Sequence, residues 1–332
     1  MSGDPKQNTR KGLAAAIERN WYRAFFWNLW LAPLAVLFGL VVMLRRIWFS
    51  LFPAASEQLP VIVVGNVTIG GTGKTPLIIW LVEQARKLNI RVGVVSRGYG
   101  GKSEQYPLWV TADTPESESG DEPRLIALRT GCPVVVDPVR KNAVAALVGS
   151  VDLVLSDDGL QHYAMARAAE IVVIDGERRL GNRWMLPVGP MREPASRLDQ
   201  ADLVITNGKD FILQPSSPIN ASTGKVVDLL EFEGQKVHGV AGIGHPERFF
   251  SALEKLGMEV IRHPFPDHHP YQKSDLDFED ELPVFMTEKD WVKCQAFANE
   301  NHWYLPVDAV PIRSARQALE SLLLTWGEQS NG

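Results

Sequence analysis

The stretch PVIVVG (60–65), continued by NVTIGGTGKTP (66–76) and LIIWLVEQARKL (77–88), decides the reading of this chain. An apolar run of β-branched residues gives way to a glycine-rich loop and then to a helical pattern that opens on Lys74-Thr75. That order is the one a phosphate-binding loop requires. Glycines let backbone N–H groups approach phosphate oxygens, a lysine reaches the terminal phosphates, and a hydroxyl at the helix start faces a magnesium ion. Thr68, Ile69, Gly70, Gly71, Thr72, Gly73, Lys74 and Thr75 are the candidate nucleotide contacts, with Thr75 also a candidate metal ligand and Lys74 a candidate catalytic group. The GxxxxGK[ST] pattern is met in a variant form, because Thr68 occupies the place of the first glycine.

Working outward, short apolar runs alternate with helical stretches from residue 60 to about 206. The runs are PVIVVG (60–65), IRVGVVS (90–96), PVVVD (133–137), DLVLS (152–156), EIVVID (170–175) and ADLVIT (201–206). Near-continuous apolar strands mean a sheet covered on both faces, so the expected fold is α/β: a doubly wound parallel sheet of the P-loop NTPase type. Helices are expected near Lys74, Glu122 and Val139, and residues 100–120 read as a loop or small hairpin. The run 152–156 delivers Asp157 and Asp158 at its C-terminal end, where ligands bind in such sheets. Both are candidate metal ligands and Asp158 a candidate catalytic residue. One carboxylate can organise Mg²⁺ while the other orients a metal-bound water or assists an incoming hydroxyl. Which does which stays open.

The chain divides into residues 1–55, a membrane-associating helical segment; 56–210, the P-loop core; 211–240, a two-stranded connector built on Lys225–Leu230 and Gln235–Val240; and 241–332, a smaller α/β unit. The first segment is locally membrane-like. Trp21, Trp27, Trp30 and Trp48 fall there with Phe25, Phe26, Phe38, Phe49 and Phe52, and no charge interrupts Ala24 to Leu44. That run is long enough for a hydrocarbon core of ~30 Å. Arg19, Arg23, Arg45 and Arg46 flank both ends, so orientation is unmarked, and Pro33 lies within it. Residues 20–52 are therefore expected to lie on a membrane surface rather than to span it.

Composition bounds the remaining classes. The 332 residues are 45% hydrophobic and 22% charged, which excludes general disorder and a multi-span membrane protein. A net charge of −5 gives no support for nucleic-acid binding. Cys132 and Cys294 form neither a disulfide framework nor a zinc motif, so a reducing compartment is expected.

With these residues in place, the chain resembles the tetraacyldisaccharide 4'-kinases, the lipid A 4'-kinases of Gram-negative bacteria, over nearly its whole length. The resemblance rests on GNVTIGGTGKTP (65–76), SRGYGG (96–101), GDEP (120–123), DPVR (137–140), DDGLQH (157–162), LPVGPMREP (186–194), GIGHPERF (242–249), DHHPY (267–271) and TEKDWVKC (287–294) taken together. It implies transfer of the γ-phosphate of ATP, with Mg²⁺, to the 4'-hydroxyl of lipid A disaccharide 1-phosphate, giving lipid IVA, at the cytoplasmic face of the inner membrane. The acylated disaccharide lipid and the membrane surface are the implied partners, with no required protein partner.

The resemblance also suggests a base for the attacking hydroxyl: Asp121 of GDEP tuned by His268 of DHH, with His269 the adjacent alternative. Asp121 reads equally as the start of a helix. Arg97, Arg140 and Arg192 stand in Gly- or Pro-bounded loops and are candidates for an anionic acceptor, joined by Tyr99 as a stacking surface and Gln161 as a hydrogen-bond donor to sugar. Glu193 is expected either to assist the metal or to pair with Arg192. Thr287, Lys289 and Asp290 either line the nucleotide side or hold the two units together. A membrane-bound P-loop ATPase switch and a soluble small-molecule kinase are the competing functions; GGxGKT is shared with partitioning ATPases, but those carry a lysine where Ile69 stands here.

Overall fold

The computed structural model describes residues 20–22 and 27–327. Arg19, Arg23, Phe25 and Phe26 of the N-terminal reading lie outside them. The chain enters through a helical turn at Trp27–Leu31 into α1 (Ala32–Leu51), with Pro33 in its first turn, where a missing N–H costs nothing. Then follow β1 (Val61–Gly65), α2 (Lys74–Lys87), β2 (Val92–Ser96), β3 (Leu108–Trp109), α3 (Glu116–Ser119), α4 (Asp121–Thr130), β4 (Val134–Val136), α5 (Arg140–Ala146), β5 (Leu153–Asp157), β6 (Ala169–Asp175), β7 (Leu203–Asn207) and β8 (Phe211–Pro215). A second series comprises β9 (Ile219–Asn220), β10 (Lys236–Ala241), α6 (Pro246–Lys255), β11 (Glu259–Pro264), β12 (Val284–Thr287), α7 (Glu288–Cys294), β13 (His302–Leu305), β14 (Val307–Pro311) and α8 (Arg313–Gly327).

The six apolar runs form the heart of a nine-stranded sheet in the order β14-β8-β7-β6-β1-β5-β2-β4-β3. From β7 to β4 every neighbouring pair is parallel. All residues of β1, β2, β4 and β5 are buried, as two-sided cover demands. Residues 100–120 supply β3, antiparallel to β4 at the edge. β5 and β6 flank β1, so the loop after β1 emerges where the chain's crossovers diverge, the place where open α/β sheets bind ligands.

Two features differ from the sequence reading. Lys225–Leu230 forms no strand: Val226 and Leu230 are exposed, and a 3-10 turn starts at Leu229. Its presumed partner is instead the interior strand β10, parallel to both β11 and β12 in a five-stranded sheet, because Val237 through Ala241 are buried and want cover on both faces. The C-terminal segment also leaves the smaller sheet. β14 pairs antiparallel with β8 of the large sheet, and Leu319 and Leu323 of α8 enter the same core as Leu77, Ile78 and Leu81 of α2. A helical repeat of apolar residues announces an apolar face, not which sheet it covers.

The two sheets meet along named polar ties. Arg248 of α6 pairs with Asp175 at the end of β6 (2.6 Å) and with Glu177 (2.6 Å). Arg129 of α4 places Nη1 2.8 Å from both oxygens of Glu288 on α7 and also pairs with Asp308 of β14. Arg124 donates to Gln295 at 2.6 Å.

Candidate active site

The phosphate loop leaves β1 at Gly65 and ends in Gly73, the residue that caps α2 with φ +90°. Any side chain there is strained by the backbone and would meet Asn207 Nδ2 at 3.1 Å, so glycine is dictated twice over. Lys74 begins the helix, as its sequence position foretells. Its ammonium lies 3.0 Å from Asn66 Oδ1 and 3.4 Å from Asp158 Oδ1. Thr68, at the position of the missing glycine, is buried and bridges to Met191, while Ile69 N–H donates to the Pro190 carbonyl. The loop is thus backed by residues 190–193.

Asp157 and Asp158 differ sharply. Asp158 receives both guanidinium nitrogens of Arg192, each at 3.0 Å, and the Lys74 ammonium. Burial alone would raise its pKa, but Lys74 and Arg192 together hold it far below the usual carboxylate range. Asp157 is buried with one weak partner, Ser96 Oγ at 3.4 Å. Burial first, then the negative charge of Glu122, push it up to about 7, with Lys74 opposing. Asp157 Oδ1, Ser156 Oγ and Thr72 Oγ1 are buried without a hydrogen-bond partner. Buried oxygens of this kind beside a phosphate loop are the signature of a site built for a cation and phosphate oxygens, so Thr75, Asp157 and Asp158 fit Mg²⁺ held jointly with a nucleotide.

The second half of the site comes from both sheets. Asp121 starts α4 and is buried; His268 sits in the 267–271 loop after β11 with φ +57°, and its Nδ1 is 3.0 Å from Asp121 Oδ2 across 147 residues of sequence. The other Asp121 oxygen accepts the Glu122 N–H (3.0 Å), so the helix-start reading and the pairing hold at once. Burial works to raise the Asp121 pKa, yet the His268 hydrogen bond and the Lys289 charge outweigh it and the net shift is downward. The Asp121 bond raises His268 in turn, against burial and Lys289. His269 is engaged elsewhere: Nε2 lies 3.0 Å from Asp275, and the ring stands edge-on to Tyr271.

The SRGYGG loop locks onto GDEP. A side chain at Gly101 would overlap the Gly120 nitrogen at 2.4 Å, and the exposed Tyr99 ring lies 5.0 Å from the His268 ring. Arg97 is exposed on the same loop. Arg140 is buried, donates to the Asp158 carbonyl (3.4 Å) and leaves Nε unpartnered. Gln161 donates to the Asn66 carbonyl (3.2 Å), and Arg192 also reaches Asn66 Oδ1. Arg192 and Gln161 therefore both contact the phosphate-loop side, at Asn66. Glu193 pairs with neither Arg192 nor the carboxylate pair; it is fully buried and accepts a hydrogen bond from the Tyr163 hydroxyl.

A family model described as Tetraacyldisaccharide-1-P 4'-kinase matches residues 27–326. The chain belongs to that family. Among its relatives, the tetraacyldisaccharide 4'-kinase of Pseudomonas entomophila (strain L48) is 52% identical over 295 residues, covering 85% of this chain and 88% of the relative. That of Nitrosococcus oceani is 48% identical over 320 residues, covering 93% and 95%. Of solved structures, the LpxK of Aquifex aeolicus, described as an "apo" form in complex with ATP, superposes with a TM-score of 0.75 at 26% identity over 88% of this chain and 98% of its own. As a tetraacyldisaccharide 4'-kinase family member the chain is a kinase of lipid A biosynthesis, on a P-loop fold.

Some kinase-site residues were silent in the sequence. Asn66 lies inside the quoted motif, yet nothing in GNVTIGG says that its carboxamide would collect Lys74 and Arg192. Asp175 ends a strand as Asp157 does, but its partner Arg248 is on the other sheet. Lys289 reaches Glu122 (3.3 Å), Asp121 (3.6 Å) and Asp267 (3.8 Å), so of the two readings of TEKD the joining of the two units describes its contacts.

Proposed function

We propose that this lipid A 4'-kinase moves the γ-phosphate of ATP to the 4'-hydroxyl of tetraacyldisaccharide 1-phosphate with the residues described above in fixed roles. The single observation that carries the assignment is the Asp121–His268 pair, which unites an element of the phosphate-loop sheet with a loop of the second sheet beside Tyr99. The 4'-hydroxyl oxygen attacks the γ-phosphorus, the bond to the β-γ bridging oxygen breaks, and the hydroxyl proton passes to the Asp121–His268 pair. Residues 70–75 wrap the phosphates through backbone N–H groups, with Thr68 and Ile69 tied to the 190–191 segment behind them, and Lys74 neutralises the terminal phosphates. Thr75 with Asp157 or Asp158 would hold Mg²⁺, which would supply electrostatic stabilisation of the charge on the transferred group. Arg97, exposed beside Tyr99, meets the anionic acceptor; Arg140 and Arg192 hold the Asp158 loop on the donor side. In this reading the domain limits are functional: the P-loop sheet carries the donor, and the second sheet brings His268 to it.

The N-terminal segment is the membrane contact. Among the described residues one helix, Asn28–Leu51, is long and apolar enough to cross a bilayer, and this apolar helix fits membrane association. Its face is divided. Ala35 packs on Val188, Gly39 faces Met185, Arg46 bonds Gln200 and Phe49 lies 6.0 Å from the Tyr163 ring, while Trp30, Val36, Leu37, Leu44, Trp48 and Leu51 are exposed. A helix whose one stripe rests on its own protein along most of its length presents the other stripe to lipid. It lies in the interface instead of leaving the body to span. With ATP as donor, that interface is the cytoplasmic face of the inner membrane.

The test is transfer of radiolabelled γ-phosphate from ATP, with Mg²⁺, to tetraacyldisaccharide 1-phosphate in mixed micelles. Wild type labels the lipid and Lys74→Ala loses about 10²–10³-fold or more. ATP hydrolysis without labelled lipid would overturn the reading in favour of a membrane-bound ATPase switch.

A further inference from the structure

Lys289 is the one residue of the TEKD segment whose side chain crosses to the phosphate-loop sheet's GDEP loop. Its ammonium has Glu122 at 3.3 Å and Asp121 at 3.6 Å on that side, and Asp267, the neighbour of His268, at 3.8 Å on its own. Its chain neighbours fix the stem. Asp290 Oδ2 accepts the Thr287 hydroxyl (2.6 Å) and the Gly242 N–H (3.0 Å), and Glu288 takes Arg129 of α4 on both oxygens at 2.8 Å. A lysine on such a base has little freedom to lose on reaching its partners. Opposite it, the three carboxylates converge from two sheets; among the described residues Lys289 supplies the only ammonium within 4 Å of them, and the His268 imidazole lies 3.0 Å from Asp121 and 3.9 Å from Asp267. Without the lysine charge that imidazole alone offsets their mutual repulsion, which drives the loops apart.

We infer that Lys289 is a positioning residue for phosphoryl transfer, an electrostatic pin that draws GDEP and the 267–271 loop together so that Asp121 and His268 stay paired at the reacting hydroxyl. The inference rests on the proposed role of that pair. The groups facing Asp121 are His268 and Lys289, with Lys293 of α7 farther off; those facing Lys289 are Asp121, Glu122 and Asp267. Removing the lysine charge raises the proton affinity of both Asp121 and His268, since a nearby cation disfavours protonation of each. The acid limb of the rate profile must then move to higher pH.

The experiment compares full-length Lys289→Met, Lys289→Arg, Asp121→Asn and wild type for lipid phosphorylation across pH 5–9, with ATP-analogue binding and thermal melting measured alongside. Lys289→Met should lower kcat about 10- to 100-fold through loosened geometry, leave ATP-analogue affinity within about twofold, and shift the acid limb upward. Lys289→Arg should recover most of the rate and return the limb. A Lys289→Met profile that coincides with wild type, or a loss that tracks melting temperature and is not rescued by arginine, overturns the pin. Full activity in Asp121→Asn would instead overturn the underlying base assignment, so the two failures are separable.

Discussion

The donor half of this site and its proposed acceptor half are built in opposite ways. The donor half is nearly contiguous: Asn66 through Thr75 follow one strand, and Asp157-Asp158 end its neighbour, held in register by the β1–β5 ladder. Its loop and its aspartates leave two adjacent strand ends buried on both faces, with residues 190–193 behind the loop. The acceptor half is assembled from distance. Asp121 comes from α4, His268 from a loop of the other sheet, Tyr99 from the loop after β2, and their meeting depends on largely buried ion pairs between the two sheets and on loop glycines. A nucleotide cradle built locally and a proposed acceptor site built across two sheets suit a kinase whose donor and lipid substrate are held by different parts of the chain.

The comparison can be strained first through the core. Leu319 is fully buried where α8 covers α2, so Leu319→Ala should cost about 2–5 kcal/mol, seen as lost hydrogen-exchange protection in β1. A cost below about 0.5 kcal/mol would mean that the C-terminal helix is not part of the donor half. The joined half is sharpened by titration. Asp121, with a depressed pKa, adds stability above its unfolded value that is lost as pH falls through the folded one. His268, with a raised pKa, adds stability that is full below its unfolded value and lost as pH rises through the folded one. The pair is therefore strongest between those two unfolded values and fades toward the folded ones, and Asp121→Asn should lower the His268 titration midpoint by NMR. An unmoved midpoint would separate the two residues. The smallest effect on the fold is expected on α1, where Val41→Asp on the exposed stripe should change stability by no more than about 0.5 kcal/mol while weakening binding to anionic vesicles. Unchanged vesicle binding would remove that stripe from the membrane contact.

The same contrast explains what the sequence made legible. The six central strands, the phosphate loop and the aspartate pair could be read because each is local: an apolar run, a glycine-rich turn, a carboxylate at a strand end. The Asp121–His268 pairing was available only through likeness to a family, since no periodicity relates positions 147 apart. Strand β10 reads as one arm of a two-stranded connector in the sequence but is an interior parallel strand in the structure, because β-branched runs announce strands without announcing neighbours. The return of β14 to the large sheet was hidden for the same reason. Arg192 and Glu193 stand side by side in LPVGPMREP, yet one faces Asp158 and the other Tyr163, a divergence set by backbone direction that composition does not encode.

The most direct test of the account is a double-mutant cycle on Asp121→Asn and His268→Asn, measured as single-turnover phosphorylation of tetraacyldisaccharide 1-phosphate at saturating ATP. If the two act as one proton-accepting unit, each single variant loses about 10²–10⁴-fold, the double variant loses little more than the worse single one, and ATP-analogue affinity is unchanged in all three. Losses that multiply, or an Asp121→Asn enzyme as fast as wild type, would contradict a shared site assembled across the two sheets.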